Sequence, residues 1–402
     1  MDVTTLYRTP NALAPHYTLF GVTERLLLTG HSHQAWPDCA FDAQQDAWLD
    51  AAHYVDDKWQ LAAECADRVR LGFAQLLGDT KTGGANIALA ENTHELLVRL
   101  FSALDWSTRR KVVTTDGEFH SARRQLDRMV EAGVPVVKVA AEPVETVAER
   151  LAAQIDDDTT VVLISSVFFL SGRIVPGLRE LAAACAARDV TLIVDAYHHM
   201  NVIPFDIHDE GLEQAFIVGA GYKYCQLGEG NGFMRVPHDC ALRPVITGWF
   251  SEFAALTARR TPGVQYGEGG HRFAGATYDP TANYRAARVF EFFVDQQLTP
   301  AVLREVSQHQ VGRLMAAFDG LGLDPEVIDR DRHVRLEDLG GFLALRSPLA
   351  GELNRLLKAR DVFTDYRGDI IRFGPAPYLS DAQLDGAIAA LGEAVGALST
   401  AS

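Results

Sequence analysis

The chain is poor in cysteine and in positive charge, and long apolar runs are missing altogether. Its five cysteines, Cys39, Cys65, Cys185, Cys225 and Cys240, form neither a Cys-x-x-Cys pair nor a regular framework. That scatter argues against a secreted disulfide scaffold and predicts free thiols in a reducing compartment. Lysine plus arginine number 37 against 53 aspartate plus glutamate, a net charge of −16, and no basic cluster stands out. Nucleic acid and anionic membrane are therefore not expected partners, and any small anionic ligand must be held by local groups. No segment has the apolar length that spans a bilayer, and "MDVTTLYRTPNALAPHYTLFG" lacks a charged start followed by an apolar core. A cytoplasmic protein is the expectation. Low-complexity segments, internal repeats and metal-ligand clusters are not seen either.

What is present is a chain of 402 residues, 48% of them hydrophobic, enough for one large domain and a smaller companion. From Asn86 to about residue 235, short β-rich runs alternate with helical patterns. "ANIALA" leads into "THELLVRLFSALD", "RKVVTT" into "SARRQLDRMVEAG", and "VPVVKVA" into "VETVAERLAAQI". "TTVVLISSV", the helical "GLRELAAACAARD", "TLIVDAYH" and "EQAFIVGAGYK" follow. Continuous Val/Ile runs separated by amphipathic helices predict an α/β architecture with a mainly parallel sheet covered on both faces. After residue 280 the texture changes to two long helices, the second with Pro300 in its first turn, and then to short strands and helices of an α+β kind. The expected division is a large domain over 30–285 and a small α+β domain from 1–29 and 286–402.

One strand carries a problem. "TLIVDAYHHM" looks built for burial yet ends on Asp195, with His198 and His199 just beyond. A carboxylate at that depth needs a partner that offsets its desolvation. Ligands of open parallel sheets sit outside the carboxyl ends of the strands, and Lys223 lies at the end of the next strand, in "FIVGAGYKYCQLGEGNGF". Pyridoxal phosphate needs both residue types there: a lysine to hold its aldehyde covalently and an acid to face its pyridinium nitrogen.

The other requirements have candidates whose ordinary roles are as good. Asn92 and Thr93 open a helix, where free amides favour phosphate, though either residue serves equally as a plain N-cap. Phe119 follows a strand and could cover a ring or simply pack. His198 could support a cofactor or bond locally.

Taken together, the motifs resemble those of the class V, fold type I pyridoxal-phosphate enzymes, and among them most resemble the kynureninases. The resemblance runs from about Thr29 to Tyr378. It rests on "TGHSHQAWP", the D-x-x-H of Asp195 and His198, "YKY" at 222–224, "GWF" at 248–250 and "IIRFGPAPYLSD". It implies that Lys223 carries the cofactor, that Asp195 contacts the ring nitrogen, that Phe119 stacks on the ring, and that His198 supports it. It places Asn92, Thr93, Tyr222 and Trp249 around the phosphate, with Thr277 contributed across a homodimer interface. Arg372 matches the arginine that grips a substrate α-carboxylate, with His31 and Ser32 beside the substrate, and Tyr222 is the candidate for acid-base help.

The implied activity is hydrolytic Cβ–Cγ cleavage of an amino acid. Three departures alter the substrate side: Ser251 and Glu252 follow "GWF" where kynureninases have Gly-His, His31 to Gln34 replace an Asn-Ser-Leu-Gly pattern, and Ala122 replaces an acid. A β-eliminating lyase and an aminotransferase remain alternatives. A cysteine desulfurase would need a nucleophilic cysteine in the small domain, and the last cysteine is Cys240. A non-catalytic sensor is disfavoured by the retained Lys223 and Arg372.

Overall fold

The computed structural model describes residues 2–256 and 262–401. Its centre is a seven-stranded sheet built from β1 (Ile87–Ala90), β2 (Lys111–Thr115), β3 (Val136–Val139), β4 (Thr159–Ser165), β5 (Thr191–Asp195), β6 (Phe216–Ala220) and β7 (Gly232–Arg235). Their spatial order is β1-β7-β6-β5-β4-β2-β3. The pairs from β3 through β6 are parallel, and β7 runs antiparallel to both of its neighbours.

Successive side chains leave opposite faces of a strand, so each apolar run is split between two cores. Val113, Val162, Ile164, Val194 and Ile217 enter one hydrophobic cluster, while Val112, Val161, Leu163, Ile193 and Val218 enter the other. That is why these strands read as continuous apolar runs rather than as alternating ones.

Beyond the Gly-rich stretch that follows Lys223, residues 232–235 form β7, inserted between β1 and β6, with Phe233 and Met234 buried in opposite cores. Four residues with two glycines before them carry too little period to be read as a strand. Helices Cys39–Tyr54 and Lys58–Leu76 precede the alternation and pack against helix Thr281–Asp295. The anticipated helix start at Pro300 is found, with Thr299 accepting a bond from the Val302 amide.

The C-terminal part holds a three-stranded antiparallel sheet of β8 (Leu343–Arg346), β9 (Asp365–Arg367) and β10 (Ile370–Phe373), in the order β9-β10-β8. N-terminal residues join it: Leu26 and Leu27 pair with Val362 and Phe363, and Thr29 bridges to Gly374. This joint carries the loop after Thr29 to the ends of β5 and β6.

Candidate active site

Register brings the chemistry together. Asp195 is the last residue of β5 and sits opposite Ser165 of β4 and Val218 of β6. Lys223 lies three residues beyond β6. Both side chains are buried, at 9% and 5% exposure, and they are not within ion-pair distance of each other. Asp195 Oδ1 accepts the Tyr197 backbone N–H at 2.9 Å. Burial pushes its carboxyl above the ordinary range, opposed by that bond and by the Lys223 charge. The acid is thus held buried with one backbone donor and a cation at a distance, a state that a ring N–H between them would relieve.

Lys223 Nζ lies 2.7 Å from His198 Nε2. Three rings surround the amine: Tyr197 at 4.6 Å, Phe119 at 5.4 Å and Tyr222 at 5.9 Å from Nζ to centroid. Burial pulls the ammonium down to about 7, with Asp195 opposing and Arg372 adding to the shift. His198 is held well below its ordinary value by burial first, then by Lys223, His31 and Arg372. Its Nδ1 is buried without a partner.

Asn92 caps helix Thr93–Ala103 by accepting the Glu95 amide at 3.0 Å, the plain N-cap role. The amides of Thr93 and His94 precede the intrahelical ladder and stay available to an anion. Thr93 is buried and donates to the Gly219 carbonyl at 3.0 Å. Gly232 closes this corner, because a Cβ there would come within 2.5 Å of the Asn92 carbonyl carbon. The Tyr197 and Tyr222 rings pack at 5.2 Å between centroids, and burial raises both phenols. Tyr222 is also stacked by His33, centroids 4.8 Å apart.

On the opposite wall, Arg372 of β10 is 3% exposed and fully engaged. Its Nε donates to Asp365 Oδ1 at 2.9 Å, Nη2 to Asp365 Oδ2, and Nη1 to the Phe169 carbonyl. His31, fully buried, donates from Nε2 to Asp365 Oδ1 at 2.7 Å. Burial would raise Asp365, but His31 and Arg372 hold it well below the usual carboxylate range. Burial pushes His31 down to about 4. The Phe342 ring joins the two walls, 4.7 Å from His31 and 5.8 Å from His198.

Of the expected residues, Lys223, Asp195, His198, Phe119, Thr93, Tyr222 and His31 converge, with Arg372 near enough to act on Lys223, His198 and His31. Ser32 turns aside to bond His33 Nδ1 at 3.1 Å. Trp249 and Thr277 bond each other at 3.3 Å on the exposed surface, and the Trp249 ring packs on Phe250 and Phe253. Ser251 bonds Thr247 and the Gly248 carbonyl, and Glu252 accepts the Gln265 amide, so both residues that follow "GWF" are used locally.

Four residues escaped the sequence reading: Tyr197, Asp365, Phe342 and Glu118. Glu118 is buried, accepting from Thr115 at 2.7 Å and from Ser165 at 2.6 Å, and burial lifts its carboxyl to about 7, with Asp195 adding to the rise. The signal for Glu118 was an acid beside Phe119 at a strand end. Nothing local distinguished Asp365 from the other surface-type acids.

These residues fit pyridoxal phosphate: a buried amine, a buried acid awaiting a cation, rings between them, and a helix start cleared by a glycine. Residues 70–225 match the family Aminotransferase class-V. Over 373 residues the chain is 24% identical to an uncharacterized aminotransferase, YcbU, of Bacillus subtilis (strain 168), spanning 90% of this chain and 92% of that protein. A stretch of 97 residues is 29% identical to a kynureninase of Monosiga brevicollis, 23% of this chain and 20% of that one. The cystine C–S lyase C-DES, in complex with its product cysteine persulfide, superposes with a TM-score of 0.81 over 93% of this chain and 98% of that one, at 17% identity. A cysteine desulfurase of Thermococcus onnurineus NA1 gives 0.79 over 96% and 98%, at 16% identity. The expected α/β fold of type I pyridoxal-phosphate enzymes is borne out, and a C-DES mutant that shares this fold holds glycine covalently linked to its PLP cofactor.

Proposed function

We propose that this chain is a pyridoxal-phosphate-dependent enzyme of the class V aminotransferase kind, which labilises the α-proton of an amino acid and completes the reaction at the β-carbon as a kynureninase-like hydrolase. The observation that carries the first half is the buried, unpaired Asp195 opposite a buried Lys223 whose ammonium is pulled down to about 7. Pyridoxal phosphate held between them would supply an electron sink, and Asp195 would be the residue that faces its ring nitrogen. Lys223 Nζ, its ammonium disfavoured by burial, takes the α-proton, and His198 at 2.7 Å keeps the amine aimed. Phe119, Tyr197 and Tyr222 exclude water from the amine. Tyr222, its phenol raised by burial, stays protonated and can donate a proton to the departing side. Arg372 is the cation for the α-carboxylate, with His31 joined to it through Asp365.

The hydrolytic half is supported by the motifs at 29–37, 248–250 and 370–381 and by the short kynureninase likeness. β-Elimination is the second reading. The histidine that helps read an aryl ketone in kynureninases is replaced by a locally engaged pair, Ser251 and Glu252. A lyase of this kind also requires no thiol of its own. Burial pushes Cys39 up to about 11 and both Cys185 and Cys225 to about 12, so none of these three supplies a thiolate.

A homodimer with Thr277 reaching a second site is part of the proposal. It is supported by two exposed aromatic residues at that threonine, Trp249, which bonds Thr277, and Phe253, which packs on Trp249. The test is product analysis of the reconstituted enzyme. Anthranilate and alanine from kynurenine support hydrolysis, pyruvate from β-chloroalanine or cystine supports elimination, and amino transfer to a ketoacid without either refutes both.

A further inference from the structure

The carboxylate-gripping fork of Arg372 is already filled. Asp365 takes Nε and Nη2 side by side, the bidentate geometry that a substrate carboxylate would adopt, and the remaining Nη1 is spent on the Phe169 carbonyl. The arrangement is built from the sheet itself, since Asp365 of β9 is the register partner of Arg372 of β10. Two carboxylates cannot occupy one fork.

A second cation stands ready on the same face. Arg367 lies two residues from Asp365 along β9, so both side chains leave the same side of the strand. Its Nη2 is 3.5 Å from Asp365 Oδ2, and its side chain is 43% exposed, where that of Arg372 is 4% exposed. His31 holds the other oxygen, Oδ1.

We propose that Asp365 is a resident competitor at the carboxylate subsite. An incoming carboxylate takes the fork only by displacing Asp365, which swings to Arg367 while keeping His31. This rests on the reading that Arg372 receives the α-carboxylate. Asp365 spares a buried guanidinium from standing unpaired between turnovers, and it lowers the net gain from any carboxylate that binds. Affinity for a free carboxylate over a masked one is therefore set by Asp365 and Arg367 together with Arg372, and Asp365 is a specificity-determining residue.

The test uses the holoenzyme and two probes, L-alanine and L-alaninamide, with dissociation constants read from the visible absorbance of the bound cofactor. The quantity of interest is the affinity ratio of alanine to alaninamide, each variant being compared with wild type at the same pH. Asp365→Asn keeps the shape but leaves a weaker, uncharged competitor, and the ratio rises about tenfold. Arg367→Ala removes the receiving cation, so the ratio falls, and in the Asp365→Asn background the same change has no effect. Arg372→Ala brings the ratio close to one. If Arg372→Ala collapses the ratio while Asp365→Asn leaves it unchanged or lowers it, the competitor idea is overturned and the Arg372 reading stands. If Arg372→Ala leaves the ratio as it was, that reading itself is overturned. Should Asp365→Asn fail to fold, the half-exposed Arg367→Ala decides alone, and an unchanged ratio there refutes the exchange.

Discussion

Replacing Asp195 with asparagine should move two observables in opposite directions. In the absence of cofactor the carboxylate is buried, receives one backbone N–H at 2.9 Å, and is raised by that burial against the opposing Lys223 charge. Removing that charge relieves a desolvation cost and leaves at most one amide N–H unpaired, so the apoprotein should be no less stable than wild type. With cofactor bound, the same change deletes one half of a buried charge pair. Truncations of that kind cost about 2 to 5 kcal/mol, or roughly 30- to 5,000-fold in a dissociation constant. We expect the lower part of that range, a cofactor affinity weaker by about 100-fold, which is about 2.7 kcal/mol. Thermal melting of the apoprotein and titration of cofactor by absorbance measure the two quantities separately. An apoprotein that melts several degrees lower, with cofactor affinity unchanged, would mean that Asp195 is a structural acid and that the ring nitrogen is not its partner.

Three further outcomes are expected. The rate at which apoprotein captures pyridoxal phosphate should rise with pH through an inflection near 7, where burial places the Lys223 ammonium, and stopped-flow absorbance would show it; an inflection above 10 would mean an ordinary exposed lysine. Gly232→Ala puts a methyl group within 2.5 Å of the Asn92 backbone, so cofactor affinity should drop at least tenfold as the helix start is displaced, measured by the same titration. Asp79→Ala strips the fully buried Arg235 of its carboxylate partner, and His238 of the same one, and should cost about 3 to 5 kcal/mol in denaturant unfolding while leaving the absorbance spectrum of the bound cofactor in place.

How far the residues could be read in advance follows from the range of the forces involved. Strands such as 159–165 were legible because burial on both faces leaves an unbroken apolar run. The Asp195 and Lys223 pair was legible because a charge closing such a run violates the pattern around it. β7 was not, since two glycines and four residues fit a turn as well as a strand, and only its neighbours β1 and β6 decide the matter. Asp365 was hidden for a different reason. Its significance comes from a cross-strand partner and from His31, 334 positions away in the chain, and neither contact has a local signature. The cap role of Asn92 shows the converse, a residue whose ordinary local function was legible from its place before the helix.

The segment 221–231 links two strands that are sheet neighbours, and its own backbone ties it shut. Gly221 donates to the Asn231 carbonyl at 3.0 Å, Leu227 donates back to Gly221 at 2.9 Å, and residues 223–228 are buried. The amine is thus mounted on a cinched, packed loop whose ends cannot spread. An insertion within residues 223–228 would have no surface to bulge into, whereas the exposed stretch around Gly133 could absorb added residues. An engineer seeking a place to graft a tag, a sensor or a second domain should therefore leave the lysine-bearing loop untouched and cut at Gly133 instead.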